Sequence, residues 1–147
     1  MPSCDKQKVD TAITFGTFDL FHYGHLRILQ RAKSLCKKLV VGVSSDSFTL
    51  QKKGEIPAIP EQHRMEIVAS IKGVDSVFLE ESFEKKETYI REHGASLCVM
   101  GSDWFGKFDD IAKRCGAKAV YLPRTEHVST TSIKAQLQEQ QGAGRKG

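Results

Sequence analysis

No stretch of this chain approaches the roughly eighteen uninterrupted apolar residues of a membrane-crossing helix. Its beginning, Met1-Pro2-Ser3-Cys4-Asp5-Lys6, also lacks the apolar core of a signal peptide. Both absences point to a cytoplasmic protein with no membrane partner. Cysteine is sparse: Cys4, Cys36, Cys98 and Cys115 are widely spaced and form no metal-binding or redox signature. Cys36 and Cys98 lie within apolar runs, where a reduced thiol behaves as a small hydrophobe. There is no internal repeat, no domain-splitting linker and no block of one charge sign. The net charge of +4 is mild and its basic residues are scattered, which suits a small anionic substrate at least as well as nucleic acid.

What is present is the composition of one ordinary domain, with 147 residues, 39% hydrophobic and 27% charged, long enough to bury a real core. Runs of β-formers alternate with helical patterns. Strands are expected over 11–15, 39–43, 76–79, 97–100 and 119–122. The first helix puts Leu26, Leu29, Ala32 and Leu35/Cys36 on one side. A short helical piece and a loop with Lys52-Lys53-Gly54, Pro57 and Pro60 fill 47–59. Further helices are expected from Pro60 through Ile71, from an N-cap at Ser82 to Gly94, over 109–115, and over 132–140. The alternation implies an α/β fold: a Rossmann-like, doubly wound, mostly parallel five-stranded sheet with helices on both faces. One domain over 11–140 lies between tails at 1–10 and 141–147.

In such a sheet ligands bind beyond the carboxyl ends of the strands, and three polar clusters fall there. Gly16-Thr17-Phe18-Asp19-Leu20-Phe21-His22-Tyr23-Gly24-His25 follows the first strand, Gly101-Ser102-Asp103-Trp104 the fourth, and Arg124-Thr125-Glu126-His127-Val128-Ser129-Thr130-Thr131 the fifth. The first cluster leads into a helix start, whose unpaired N–H groups and partial positive charge bind phosphate. Gly24 lets a ligand approach the backbone, His22 and His25 share a helix face, and Asp19 can accept backbone N–H bonds that shape the loop. Two other readings compete. One is a chance pair of core or surface histidines; the other is a metal site, which lacks the additional ligands a zinc ion takes.

Ser129, Thr130 and Thr131 stand before a helix as an ordinary cap or as a second anion site. Arg124 supplies a planar donor fork for phosphate oxygens. Lys52 and Lys53, in a glycine-containing loop, are mobile cations over the ligand or solvated surface charges; Arg64 is a phosphate contact or a surface charge. Histidines, arginine, lysine and helix starts without paired carboxylates suit transfer at phosphorus, which needs charge neutralised and the nucleophile held in line. A phosphate monoester nucleophile, with a second pKa of about 6, is largely dianionic near neutral pH and needs no strong base.

The clusters at 16–25 and 124–131 resemble the two signatures of the cytidylyltransferases in the nucleotidyltransferase superfamily, a resemblance running from about Ile13 to Ile133. It implies CTP as nucleotide, Mg²⁺ as its cofactor and a homodimer. At this compact length it also implies glycerol 3-phosphate as acceptor, giving CDP-glycerol and pyrophosphate. By the same resemblance Gly16, Thr17, Phe18, His22, Gly24 and His25 line the triphosphate site. Asp103, Arg124, Thr125, Ser129, Thr130 and Thr131 bind the nucleotide with Arg64. Lys52 stands by the transferred phosphate and Lys86 binds the acceptor. His22, His25, Lys52 and Arg124 are the expected catalytic set, with no protein ligand to metal.

Four departures from the family pattern bear on the acceptor: Ser102 in the usual Gly-Asp-Asp-Trp, His127-Val128 for Gly-Ile, Lys72 for arginine and Phe83 for tryptophan. The alternatives are ethanolamine phosphate, choline phosphate or a sugar phosphate as acceptor, an adenylyltransferase, or a non-enzymatic nucleotide sensor or RNA-binding module. A quaternary ammonium favours an aromatic cage, for which one tryptophan and three tyrosines are little material.

Overall fold

The computed structural model describes residues 8–124. The apolar runs form β1 (Val9–Gly16), β2 (Cys36–Ser44), β3 (Ser76–Glu80), β4 (Leu97–Gly101) and β5 (Lys118–Leu122). All pairings are parallel, in the order β3-β2-β1-β4-β5. Parallel neighbours need crossovers rather than tight turns, and these carry α1 (Tyr23–Lys33), α2 (Asp46–Lys53), α3 (Glu61–Ala69), α4 (Lys86–Glu92) and α5 (Asp109–Arg114). The chain builds outward from β1 to β3, then returns to the far side of β1 with β4. The carboxyl ends of β1 and β4 therefore frame the crevice where strand order reverses, which is where a sheet of this kind takes ligands.

Both faces are covered. Leu29 and Ala32 of α1 and Val68 of α3 pack on Ala12, Val41, Val43 and Val99. Ile90 of α4 and Ile111 and Ala112 of α5 pack on Ile13, Val40, Cys98 and Met100. That is why β2 and β4 are continuous apolar runs rather than alternating ones. Among the described residues no helix is long and apolar enough to cross a membrane.

Several boundaries differ from expectation, each for a tertiary reason. Helix α1 stops at Lys33, and Leu35 and Cys36 belong to the sheet side: the Leu35 carbonyl accepts the Val9 N–H and Cys36 opens β2. Lys52 and Lys53 lie in the last turn of α2, not in a loop. The Ser45 hydroxyl caps that helix by accepting the Phe48 N–H at 3.0 Å, and Gly54, in the left-handed region at φ 78°, ends it. Helix α3 ends at Ala69 with Pro60 as its N-cap residue. Ser82 does not cap α4, which starts at Lys86 without a side-chain cap and whose first residue is drawn inward to Glu80. The helix expected over 132–140 lies outside the described residues.

Candidate active site

One flank of the crevice is the turn after β1. Phe18 and Leu20 sit at φ 56° and 50°, a left-handed conformation that costs a non-glycine residue energy and persists where surroundings hold it. The surroundings are specific. The buried Phe18 ring meets His25 edge-on with centroids 5.4 Å apart and tilts against Phe21. A Cβ on Gly16 would stand 2.8 Å from Phe18 Cε2, so only glycine lets that ring close over the turn. Asp19 does accept backbone N–H bonds, but those of Ala58 and Ile59, both at 2.9 Å, in the loop before α3. It ties the two loops together.

At the start of α1 the two imidazoles cap the helix reciprocally. His22 Nδ1 accepts the Gly24 N–H at 3.0 Å, and His25 Nδ1 accepts the His22 N–H at 3.2 Å. The rings stack with centroids 3.9 Å apart. Two helix-start N–H groups expected to face a phosphate are thus spent on imidazole nitrogens. A neutral ring that accepts at Nδ1 carries its proton on Nε2, so each histidine passes the donor outward from backbone to ring edge. His22 Nε2 is buried and has no partner among the described residues, a costly state for a polar atom that a ligand oxygen would relieve.

Burial lowers the pKa of His22. It pushes His25 down to about 3, with the neighbouring His22 and Lys53 adding to the effect. Both rings are therefore neutral donors at neutral pH.

The opposite flank is a cavity of about 350 Å³ whose lining includes Gly16, Thr17, Lys52, Lys53, Glu80 and Lys86. The histidines border this space through the turn rather than lining it. Lys86 is buried, with its ammonium 4.0 Å from the centre of the Phe15 ring and near those of Phe83 and Phe108. It is ion-paired to the fully buried Glu80. Desolvation lowers its pKa, with Glu80 opposing.

Lys52 is exposed along its stem, but its ammonium is drawn onto the Ser44 hydroxyl at 2.8 Å. Burial of that end pushes it down to about 8, with Glu80 opposing and Lys86, Lys53 and Arg64 contributing. In this arrangement its ammonium is hydrogen-bonded to the protein. Phe83, standing where tryptophan is usual in the resemblance, still gives this cavity an aromatic wall. Lys72 is exposed in the segment leading into β3, at the opposite edge of the sheet.

Arg64 differs from both of its expected readings. It is fully buried, and its guanidinium donates to protein alone: Nε to the Ile59 carbonyl at 2.8 Å, Nη1 to those of Thr17 and Ser44 at 2.7 Å each, and Nη2 to Asp46 at 2.6 Å. It braces the turn after β1, the turn after β2 and the loop before α3 from behind the site. Asp103 and Arg124, at the ends of β4 and β5, form an exposed ion pair at 3.2 Å. Thr125, His127, Ser129, Thr130 and Thr131 lie outside the described residues.

Sequence reasoning missed Glu80 and Ser44. Ser44 and Glu80 fall just past the strands expected over 39–43 and 76–79. Their signal was a polar residue directly after an apolar strand at the sheet edge that binds ligands.

A family model described as cytidylyltransferase-like matches residues 13–136. A glycerol-3-phosphate cytidylyltransferase from Bacillus subtilis is 47% identical, covering 85% of this chain and 95% of its own length. One from Staphylococcus aureus is 40% identical over 85% of this chain and 92% of that protein. The crystal structure of a lipopolysaccharide core biosynthesis protein from Thermoplasma volcanium superposes with a TM-score of 0.68 at 24% identity, covering 81% of this chain and 98% of that one. That likeness shows the shared fold.

Proposed function

The chain belongs to the cytidylyltransferase-like family, and from that premise we propose that it transfers CMP from CTP to glycerol 3-phosphate, releasing pyrophosphate and forming CDP-glycerol. The observation that carries the choice of acceptor is the cavity beside Gly16 and Thr17. Among the described residues its charged lining is three lysines and one carboxylate already paired with a lysine. Such a space attracts a small phosphate dianion and repels an acceptor that carries an ammonium group. Glycerol 3-phosphate fits this balance better than ethanolamine phosphate or choline phosphate.

In this reading an oxygen of the acceptor phosphate attacks the α-phosphorus of CTP as the bond to pyrophosphate breaks. The acceptor is already dianionic, so positioning and charge stabilisation are the protein's work. His22 and His25 donate Nε2–H bonds to triphosphate oxygens, where charge grows in the transition state. Being neutral, they hold their protons and cost little to bury. Lys52 and Lys86 hold the acceptor phosphate, Lys52 nearest the transferred group.

Arg124 and Asp103, with Thr125, Ser129, Thr130 and Thr131, hold the nucleotide; Gly16, Thr17, Phe18 and Gly24 shape the turn against it. Arg64 acts on it from behind, through the Thr17 and Ser44 carbonyls. Magnesium would accompany CTP as the counter-ion of the triphosphate, supplying charge neutralisation there. Among the described residues no group of three His, Cys, Asp or Glu would cage it, so no step is assigned to a protein-held ion. A cytoplasmic homodimer without nucleic-acid or membrane partners completes the proposal, and sedimentation tests the dimer.

The test is turnover with CTP, Mg²⁺ and a panel of acceptors. Glycerol 3-phosphate should release pyrophosphate and give CDP-glycerol at a kcat/KM at least about tenfold above ethanolamine phosphate, choline phosphate and sugar phosphates. Preference for another acceptor, or for ATP over CTP, would replace this reading. Salt-dependent RNA binding without turnover on any acceptor would move the protein out of the enzymes.

A further inference from the structure

A carboxylate buried in a cavity proposed for a phosphate dianion is unfavourable by Coulomb's law alone, so Glu80 needs a reason to be there. It is the last residue of β3, has no solvent exposure and is, among the described residues, the one carboxylate lining the cavity. Its two oxygens hold two different cations. Oε2 takes the Lys86 ammonium directly. Oε1 accepts the Ser44 hydroxyl at 3.1 Å, and that hydroxyl accepts from the Lys52 ammonium at 2.8 Å. Ser44 stands directly opposite Glu80 in the parallel β2–β3 register, so the sheet itself sets the relay. The two lysines come from separate helices, α2 and α4.

We infer that Glu80 is a positioning residue for acceptor binding: it holds Lys86 directly and Lys52 through Ser44, so that two ammonium groups form a preset cradle for a phosphate dianion. The inference rests on the acceptor reading given above. The physical reason is the fate of Lys86 without its partner. An ammonium buried among Phe15, Phe83 and Phe108 loses hydration, which favours its neutral form, and ring faces offset only part of that loss. A counter-charge keeps it protonated. An ammonium has three donors, so bonding to Glu80 leaves others for a phosphate oxygen. Among the described residues, the charged and titratable groups around the pair are Lys52 and Lys53 from α2, Arg64 from α3, Lys86 from α4 and Cys98 from β4, with Glu80 the one carboxylate.

Glu80→Gln keeps the shape and removes the charge. The KM for glycerol 3-phosphate should rise about tenfold or more while that for CTP changes by less than about twofold. The acceptor-dependent kcat/KM should begin to fall at lower pH than in the wild-type protein, as Lys86 loses its proton earlier. Ser44→Ala removes the hydroxyl that links Lys52 to Glu80 Oε1 while leaving the direct Glu80 Oε2–Lys86 contact in place. It should raise the acceptor KM about threefold with a far smaller movement of the Lys86 titration than in Glu80→Gln.

A second readout needs neither turnover nor acceptor. The Lys86 side-chain NMR signals of isotopically labelled protein, assigned with Lys86→Arg, should titrate about one pH unit lower or more in Glu80→Gln. If the wild-type protein makes no CDP-glycerol, the acceptor reading fails while this titration still tests Glu80. Equal rises in both KM values, or an unmoved Lys86 titration, overturn the inference. An unchanged acceptor KM in Ser44→Ala overturns the relay.

Discussion

On one flank of the crevice two histidines arrive together from a single helix start; on the other, two lysines arrive from different helices and meet over one carboxylate. The histidines are neutral, and their Nδ1 atoms are satisfied by backbone N–H groups no more than three residues away. The lysines are cations, and their counter-charge sits on a strand. Burying a neutral donor requires a hydrogen bond, which local chain can supply; burying a charge requires a partner that tertiary structure must bring. The same task, offering N–H groups to phosphate, thus has a local solution on one side and a long-range one on the other.

Arg64 joins the flanks, donating to Thr17 on one and Ser44 on the other, and its removal should produce the largest effect. Arg64→Met strands three carbonyls and the Asp46 carboxylate, and should cost about 3–5 kcal/mol in urea denaturation. A loss below about 1 kcal/mol together with weakened CTP binding would mean that Arg64 reaches the nucleotide and that the flanks stand independently.

Next is the histidine flank itself. His25→Ala should lower kcat by about 10²–10³-fold, the usual effect of removing one charge-stabilising donor. The lost cap should cost only about 1 kcal/mol of stability. Activity per folded molecule close to wild type would leave the pair as a helix cap and nothing more.

Acid separates the flanks further. Burial, then His22 and Lys53, hold His25 at about 3 in the folded protein, whereas the unfolded side chain titrates near 6.5. Between those values the unfolded chain binds a proton that the folded one refuses, so stability falls as pH falls, by about 2 kcal/mol at pH 5. His22 is shifted in the same direction. Urea denaturation at pH 7 and pH 5 should show this loss, and His25→Gln should remove most of it. Equal losses in both proteins would assign the acid sensitivity elsewhere.

The contrast also decides what could be read from sequence. The strand–helix alternation, the five strands and the 16–25 turn were legible because periodicity and short-range spacing carry them. So was the gathering of Gly16, Thr17, Lys52 and Lys86 near one sheet edge, the latter two through the resemblance. What escaped depends on contacts distant along the chain. Arg64 looks like any helical surface arginine until β1, β2 and the loop before α3 surround it. Ser82 looks like a cap until Glu80 draws Lys86 inward and sets where α4 begins. Lys52 and Lys53 look like a loop because the signals that close α2, the Ser45 cap and Gly54, are weaker than the prolines that follow. The bonding of both histidine Nδ1 atoms to backbone was local in origin, yet spacing alone does not say which ring nitrogen faces the helix.

The smallest effect concerns which flank sets the alkaline limit of activity. The histidines carry no charge from about pH 7 upward, so their donors do not change there. Lys52, pushed down to about 8 mainly by burial, loses its proton within the working range, and only its protonated form presents a cation to a phosphate oxygen. The kcat/KM for glycerol 3-phosphate should therefore decline as pH rises through about 8, reaching about a tenfold loss at pH 9. Lys52→Arg keeps its charge throughout. It should flatten that decline even if it lowers the plateau, because a guanidinium does not fit the Ser44 hydroxyl as an ammonium does. A decline that persists unchanged in Lys52→Arg assigns the limit to another group, and Lys86 is the next candidate because Glu80→Gln shifts it separately. A decline that disappears places the alkaline limit on the charged flank.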